Sequence, residues 1–443
     1  MITVKENFLT HIRKPVKPKN LLVIFDHPLA YRSYTQTGII ENLSKIYETS
    51  VSILGVKNSF KSQSLRVGHY NIEYNSFESF MLAFYANVYW NRKSANSLSM
   101  QNRSWYKKKK IRAILSAEQI AFYYAKIFLT VPLIAVSFSL NRVIKQLINQ
   151  LKPNSDRKVI YITVGGTNSL SDVLTKAFSK HDIEVITVLE NWDNMSSKAV
   201  FQNPPKKIGV WGEQSVKFGS LIHSIDPKTI IAIGNPRIEW LLRNVSKSPN
   251  PRNIFFGGGS VNLELEMIYL GSAIKIAKRA GSIVEYLPHP KNYKHIEKLT
   301  KDISSENLKV LGNYTNDIET DPTNLPKLDI YIDPFKNCKV FTSPLSTMNL
   351  EASLLGIPSI ALDIPTKINL PDNKISDRHD HIHDIRDTEI FYFIENVEEY
   401  EKLLESLMFT TLSPISSIAK QKILTYLINS DSDYTENLLN LIN

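Results

Sequence analysis

Short apolar runs recur along the chain at LLVIF (21–25), VSIL (51–54), VIYITV (159–164), VITVL (185–189) and IGVW (208–211), with helically spaced apolar residues between them. Continuous runs, rather than alternation, mark strands covered on both faces, so the pattern predicts a parallel sheet with crossover helices. A second series at NIFFGG (253–258), SIVEYL (282–287), LKVL (308–311), IYIDP (330–334), KVFTS (339–343) and PSIALDI (358–364) predicts another such sheet. The polar, proline-containing NPRIEWLLRNVSKSPNPRN (235–253) separates the two series and places a boundary near residue 245. The expected organisation is two doubly wound α/β domains, 1–245 and 246–443, facing one another across a cleft. Between about 75 and 150 the rhythm breaks into an aromatic and basic helical insertion in the first domain. From about 396 the chain reads as helical, with Leu403, Leu404, Leu407 and Met408 on one face, and this tail is free to cross back to the first domain.

The stretch FTSPLSTMNLEASLLGIPSIAL (341–362) reads as strand, helix, strand. Ser346 is a good N-cap, Met348, Leu350, Leu354 and Leu355 give a buried face, and Gly356 supplies a left-handed C-cap before Pro358. Amides at such a helix start, at the carboxyl edge of a parallel sheet, favour an anion, above all a phosphate. Glu351 lies more than a turn further in, where a carboxylate can accept from the hydroxyls of a ribose joined to that phosphate. Spacing alone equally fits an ordinary βαβ unit with a solvated glutamate.

Two further loops fall at the same predicted edge. The first strand of the second series runs into Gly257, Gly258, Gly259 and Ser260, where glycines let the backbone approach a ligand before another helix start. The spacing is neither that of a P-loop nor GxGxxG. The next strand ends in LPHPKNY, placing His289 and Pro290 at the edge, with the proline fixing the loop that carries the imidazole.

Composition narrows the partners. The 443 residues, 43% hydrophobic and 22% charged, are those of a folded chain large enough for two cores. One cysteine, Cys338, excludes an internal disulfide and a multi-cysteine zinc site, and the first twenty residues hold no apolar signal-peptide core, so a reducing, cytoplasmic setting is expected. The formal charge of +10 favours nucleotides or anionic headgroups. Nucleic acid is not expected, because no recognition helix, zinc finger or RNP-like strand is present. After KKKK (107–110) comes IAFYYAKIFLTVPLIAVSF (120–138), interrupted by Lys126 and Pro132. It reads as a helical stretch either buried or lying in the membrane interface, which would make the protein peripheral at the inner face of a membrane.

GGGS, then LPHP, then SPLSTMNLEASLLGIPSIA resemble the nucleotide-binding half of GT-B glycosyltransferases. The His-Pro pair is similar to that of bacterial sialyltransferases, Kdo transferases and CDP-glycerol glycerophosphotransferases. ENWDNMSSK (190–198) and VWGEQSVKFGSLIHSIDPKTIIAIGNPRIEW (210–240) resemble segments of bacterial surface-carbohydrate enzymes of this group, so the resemblance covers residues 155 to 365. It implies a GT-B fold of two facing Rossmann-like domains, a nucleotide-sugar donor, with CMP-linked donors favoured, and a glycan or lipid-linked glycan acceptor in polysaccharide biosynthesis. It also implies that His289, Ser346 and Thr347, with Ser343, Ser260 and Pro290 beside them, hold donor phosphates. Glu351 would hold the ribose, and Gly258 and Gly259 would line the pocket. No cofactor and no bound metal is implied for the chemistry.

The acidic motif that carries the base in sialyltransferases has no clean copy here. The candidates for that base are Asp26 and His27 in FDHPLAYR, and Glu190 with Asp193 after VITVL, each at a first-domain strand end that would face the cleft. Capping roles compete for Asp26, His27 and Asp193. DRHDHIHD (377–384) is dense in His379, His381 and His383, but alternate histidines share one face of a strand and no HExxH is present, so it reads as an ordered polar loop rather than a metal site. The function expected is glycosyl transfer. A CDP-alditol-dependent polyol-phosphate transferase, a nucleotide-sugar epimerase and a non-catalytic binding scaffold of the same fold are the alternatives.

Overall fold

The computed structural model describes residues 20–54, 68–94, 97–101, 138–151, 156–164, 170–259, 262–289, 292, 306–312, 327–364, 376, 379–388, 390–410, 421, 424–429 and 433–443. The KKKK run, nearly all of the 120–138 apolar stretch, Ser260 and Pro290 lie outside the described residues.

Two parallel sheets form among the described residues. The first has seven strands in the order β3-β2-β1-β4-β5-β6-β7. These are β1 (Asn20–Phe25), β2 (Glu48–Leu54), β3 (Gly68–Ile72), β4 (Arg157–Thr163), β5 (Glu184–Leu189), β6 (Lys207–Val210) and β7 (Ile230–Ala232). The second has six in the order β10-β9-β8-β11-β12-β13: β8 (Asn253–Gly257), β9 (Val284–Leu287), β10 (Leu308–Val310), β11 (Cys338–Pro344), β12 (Ser359–Leu362) and β13 (Tyr392–Ile394). Each order reverses once, between β1 and β4 in the first sheet and between β8 and β11 in the second. At such a reversal, adjacent loops diverge and leave a crevice at the carboxyl edge. The loops after β1, β8 and β11 carry Asp26, Gly258 and Ser346, so three sequence motifs fall at or beside these crevices.

Burial explains which strands the sequence announces. β1 is buried at every position and β4 at all but its first two, as expected of central strands covered by helices on both faces. IYIDP departs from expectation, forming not a strand but the helix Asp329–Lys336, which buries Ile332 and Phe335 one turn apart against Phe255 and Phe341. Its three apolar residues fit either period over five positions, and the neighbouring aromatic cluster selects the helical one.

The insertion begins with the helix Ser76–Lys93, started by a reciprocal capping box between Asn75 and Glu78. Tyr85, Tyr89 and Trp90 of this helix enter the first-domain core. Their polar ends are satisfied there, Tyr85 by Asp172 at 3.2 Å, Tyr89 by His223 at 2.6 Å and Trp90 by the Lys198 carbonyl at 3.2 Å.

The helix Val397–Phe409 packs on Leu263–Arg279 of the second domain through Tyr400 and Tyr269. The last helix, Tyr434–Ile442, instead returns to the first sheet, where Tyr434, Leu438, Leu441 and Ile442 join the core beneath β1 and β2. The hydroxyls of Tyr34 and Tyr434 hydrogen-bond in that core, and Lys207 donates to the Leu441 carbonyl at 2.9 Å. A further apolar cluster joins Trp192, Trp211 and Ile238 to Leu350, Ala361, Ile382 and Phe391 across the two sheets.

Candidate functional site

The loops after β8, β9 and β11 are packed as the glycines require. A Cβ on Gly258 would lie 2.7 Å from the His289 amide nitrogen, and one on Gly259 would lie 2.9 Å from Pro344, so the glycines let the ends of β8, β9 and β11 converge. Glu266, in the first turns of the Leu263–Arg279 helix, fastens this point. It accepts from the Gly259 amide at 2.7 Å and from the Tyr286 hydroxyl at 2.5 Å. Burial pushes its carboxyl up to about 7, with those two hydrogen bonds pulling it back. Asn292 donates to the Gly259 carbonyl at 2.7 Å, and its own amide donates to the His289 carbonyl at 2.9 Å.

Ser346 caps the helix Thr347–Leu354 from an extended conformation, in a reciprocal capping box with Asn349. Asn349 is fully buried and knits the loop together. Its side-chain oxygen accepts from Ser343 at 2.8 Å and from the Ser346 amide at 3.0 Å, while its nitrogen donates to Ser359 at 3.1 Å and to the Ile360 carbonyl at 3.0 Å. Ser343 is thereby committed to the loop's own framework, while Ser346 and Thr347 remain half-buried at the helix start. Gly356 adopts φ +69°, the left-handed C-cap expected.

Glu351 is 2% exposed, and Arg237 Nη2 of the first domain comes within 2.5 Å of its Oε1. That ion pair is the contact of the Glu351 carboxylate with the first domain. Burial pushes the Glu351 carboxyl above its usual range, and Arg237 and then Arg32 pull it back. Arg32 sits over the Tyr331 ring of the second domain, 4.9 Å from its centroid.

The four first-domain candidates part company. Asp26 accepts from the Val164 amide at 2.9 Å and the Tyr161 hydroxyl at 3.3 Å, and also from Thr163, stitching the end of β1 to that of β4. His27 is the N-cap of the helix Pro28–Gln36, its Nδ1 accepting from the Leu29 amide at 3.1 Å. Asp193 accepts from Ser197 at 3.0 Å and pairs with Lys198 at 2.7 Å. Burial alone would raise Asp193, but Lys198, His381 and His379 together outweigh that and hold the carboxyl below the usual range.

Glu190 is different. It ends β5 at 6% exposure, with its carbonyl accepting from Trp211 Nε1 at 3.0 Å. Burial pushes its carboxyl up to about 8; Arg237, Asn235 and Tyr34 pull it back, and Asp26 adds to the rise. A buried carboxyl poised near neutrality at a strand end can take or give a proton.

The DRHDHIHD loop docks the domains together where residues 379–384 are described. Asp380 accepts from Ser97 at 2.5 Å and from the Leu98 and Ser99 amides, both at 3.2 Å. His381 meets Ser196 at 2.7 Å, and burial, with His379 beside it, pushes its imidazole down to about 3, so it stays neutral. Asp384 accepts from Gln214 at 3.0 Å and Tyr426 at 2.8 Å and pairs with Lys217. Among the described residues, no group of three or more His, Cys, Asp or Glu is arranged to hold a metal ion.

Sequence reasoning missed Arg237, Glu266 and Asn349. GNPR does signal a helix start, and Asn235 does cap it, but nothing in its spacing says where the arginine reaches.

No protein-family model and no curated protein matches the sequence. The fold is matched by solved structures over nearly the whole chain. A Listeria monocytogenes protein assigned as a UDP-N-acetylglucosamine 2-epimerase aligns over 96% of this chain and 96% of its own, at 13% identity and TM-score 0.55. The UDP-GlcNAc 2-epimerase of Neisseria meningitidis, bound to UDP-GlcNAc, aligns over 95% and 99%, at 12% identity and TM-score 0.52. That of Methanocaldococcus jannaschii, in complex with UDP-GlcNAc and UDP, aligns over 91% and 98%, at 14% identity and TM-score 0.50. At these identities the likeness is one of fold: two Rossmann-like domains in the GT-B arrangement. Among the described residues, no helix is long and apolar enough to cross a membrane.

Proposed function

We propose that the chain is a nucleotide-sugar-dependent enzyme of the GT-B fold that transfers the sugar to a glycan acceptor, with Glu190 as general base. The observation that carries this reading is the buried Glu351, set in the helix that starts at the donor edge and paired through one oxygen with Arg237 at 2.5 Å. A carboxylate can accept more bonds than one guanidinium nitrogen supplies, and a ligand hydroxyl such as that of a ribose would take up part of that capacity. The amides at Thr347, with His289 beside Gly258, would hold the phosphates. As the acceptor oxygen bonds to the anomeric carbon, the bond from that carbon to the phosphate oxygen breaks and its electron pair leaves on the phosphate. The acceptor's proton passes to Glu190. The helix N-terminus meets the charge that develops on the leaving group.

A second reading, epimerisation of the nucleotide sugar, is favoured by the solved structures of like fold, two of them holding UDP-GlcNAc. Those ligands are uridine nucleotides, whereas the His-Pro resemblance favours cytidine. Incubation with CMP-, CDP-, UDP- and GDP-linked sugars, with and without a glycan acceptor, separates these possibilities. Acceptor-dependent release of nucleotide supports transfer. Change of the donor sugar without acceptor overturns transfer in favour of epimerisation. A calorimetric preference for UDP over CMP and CDP removes the cytidine assignment, and no binding of any nucleotide removes the whole reading.

A further inference from the structure

The chain's net positive charge is concentrated in one place. Residues 75–150 hold eleven Lys and Arg against Glu78 and Glu118, so nine of the ten net charges fall in the first-domain insertion. The same insertion turns aromatic side chains outward. Phe77 and Phe80 of the helix Ser76–Lys93 are 59% and 58% exposed, and the Phe80 ring stacks on Phe84 with centroids 6.1 Å apart. The spacing i, i+3, i+7 sets the three rings on one helix face, opposite the face that sends Leu82, Tyr85, Ala86 and Tyr89 into the core. Phe138, at 81% exposure, precedes the helix Asn141–Asn149. Arg142 ties the starts of the two helices together, donating to Glu78 at 2.7 Å and to the Glu73 carbonyl at 2.6 Å. Arg92 and Lys145 of these helices are exposed.

We propose that this face is a docking surface for a bilayer bearing anionic headgroups, with Phe77, Phe80 and Phe84 entering the headgroup layer and the positive charge of the insertion drawing the chain to it. Apolar residues scattered singly over a surface need no explanation, but rings gathered on one helix face among cations match the bilayer interface, where acyl chains lie beneath anionic headgroups. A second copy of the chain suits the face poorly, because it would bring two insertions of net charge +9 together. The other side of the helix is packed in the core, so the face rests on the bilayer and does not cross it. It shares no residue with the loops after β8, β9 and β11, and so stands independently of the transferase reading.

The test is cosedimentation of the full chain with vesicles of mixed phosphatidylglycerol and phosphatidylcholine, set against vesicles of phosphatidylcholine alone. The anionic vesicles should bind the chain, and raising the salt should weaken that binding. Phe77→Gln combined with Phe80→Gln should cost at least about tenfold in affinity, because the apolar contact is lost while the charge is kept. Phe409→Gln, at an equally exposed ring on a second-domain helix, should cost nothing. Cys338 is the single cysteine and is buried, so Phe80→Cys takes an environment-sensitive fluorophore selectively, and its emission should shift to the blue on anionic vesicles. If the double variant does not fold, the labelled Phe80→Cys protein decides alone. No binding to anionic vesicles at low salt overturns the proposal, as does a double variant that binds like the wild type or a label that does not shift. A chain that ignores vesicles and instead forms a dimer, lost in the double variant, overturns it in favour of a second copy.

Discussion

Glu190→Gln is expected to make the chain both less active and, at high pH, more stable. Burial lifts the carboxyl from 4.5 to about 8, so between those values the folded chain holds a proton that the unfolded chain has released. The unfolded state binds fewer protons there, and stability falls as pH rises, by about 1.4 kcal/mol for each pH unit. Below about pH 4.5 both states are protonated and the group makes no difference. By about pH 8 the accumulated loss approaches ~5 kcal/mol, an upper bound because water entering the cleft solvates the charge. Glutamine keeps the shape and cannot ionise, so the variant escapes this loss. In urea titrations the two proteins should unfold at the same midpoint near pH 4.5, and the variant should gain by several kcal/mol near pH 9. Asp172 and Glu266, each raised to about 7 by burial, titrate in both proteins and cancel in the comparison. In the same variant kcat should fall by roughly 10²- to 10⁴-fold while nucleotide affinity holds. A wild-type chain as stable as the variant near pH 9 refutes the burial argument, and an unchanged kcat removes Glu190 from the chemistry.

Two other substitutions test the frame around the site. Gly258→Ala places a methyl group 2.7 Å from the His289 amide nitrogen and 2.9 Å from Glu266, so the β8 and β9 loops must separate. Thermal unfolding should show a loss of about 1–3 kcal/mol and calorimetry weaker nucleotide binding, whereas wild-type affinity would place the ligand elsewhere. Asp380→Ala removes the acceptor shared by Ser97 and the amides of Leu98 and Ser99. Hydrogen exchange at residues 98 and 99 should quicken by about tenfold, and unchanged protection would show that the loop does not hold the two domains together.

The sequence spelled out the inner strands and blurred the outer ones, for a reason of solvent contact. LLVIF, VIYIT and VITVL are covered on both faces and read as unbroken apolar runs, whereas β10 at a sheet edge reads only as LKVL, interrupted by Lys309, and β7 is three residues long. IYIDP was ambiguous because five residues do not distinguish period 2 from period 3.6, and only Phe255 and Phe341 decide it. The turns and caps at strand ends were legible because glycine, proline and N-cap chemistry are local. Ser346 and Gly356 do what their neighbours in sequence predict. Arg237 was not legible, since its partner Glu351 lies in the other domain and a long arginine side chain carries no local mark of its destination. In the loop dense in histidines and aspartates, Asp380, His381 and Asp384 each meet a different partner on the first domain or the tail.

The helix Tyr434–Ile442 makes the order of synthesis matter. It completes the core beneath β1 and β2, strands laid down more than 350 residues earlier, so a nascent chain with both strands out of the ribosome still exposes the surface that Leu438, Leu441 and Ile442 cover. Domains that fold as contiguous units close as they emerge. Here the helix that covers β1 and β2 is made only after every strand of the second sheet.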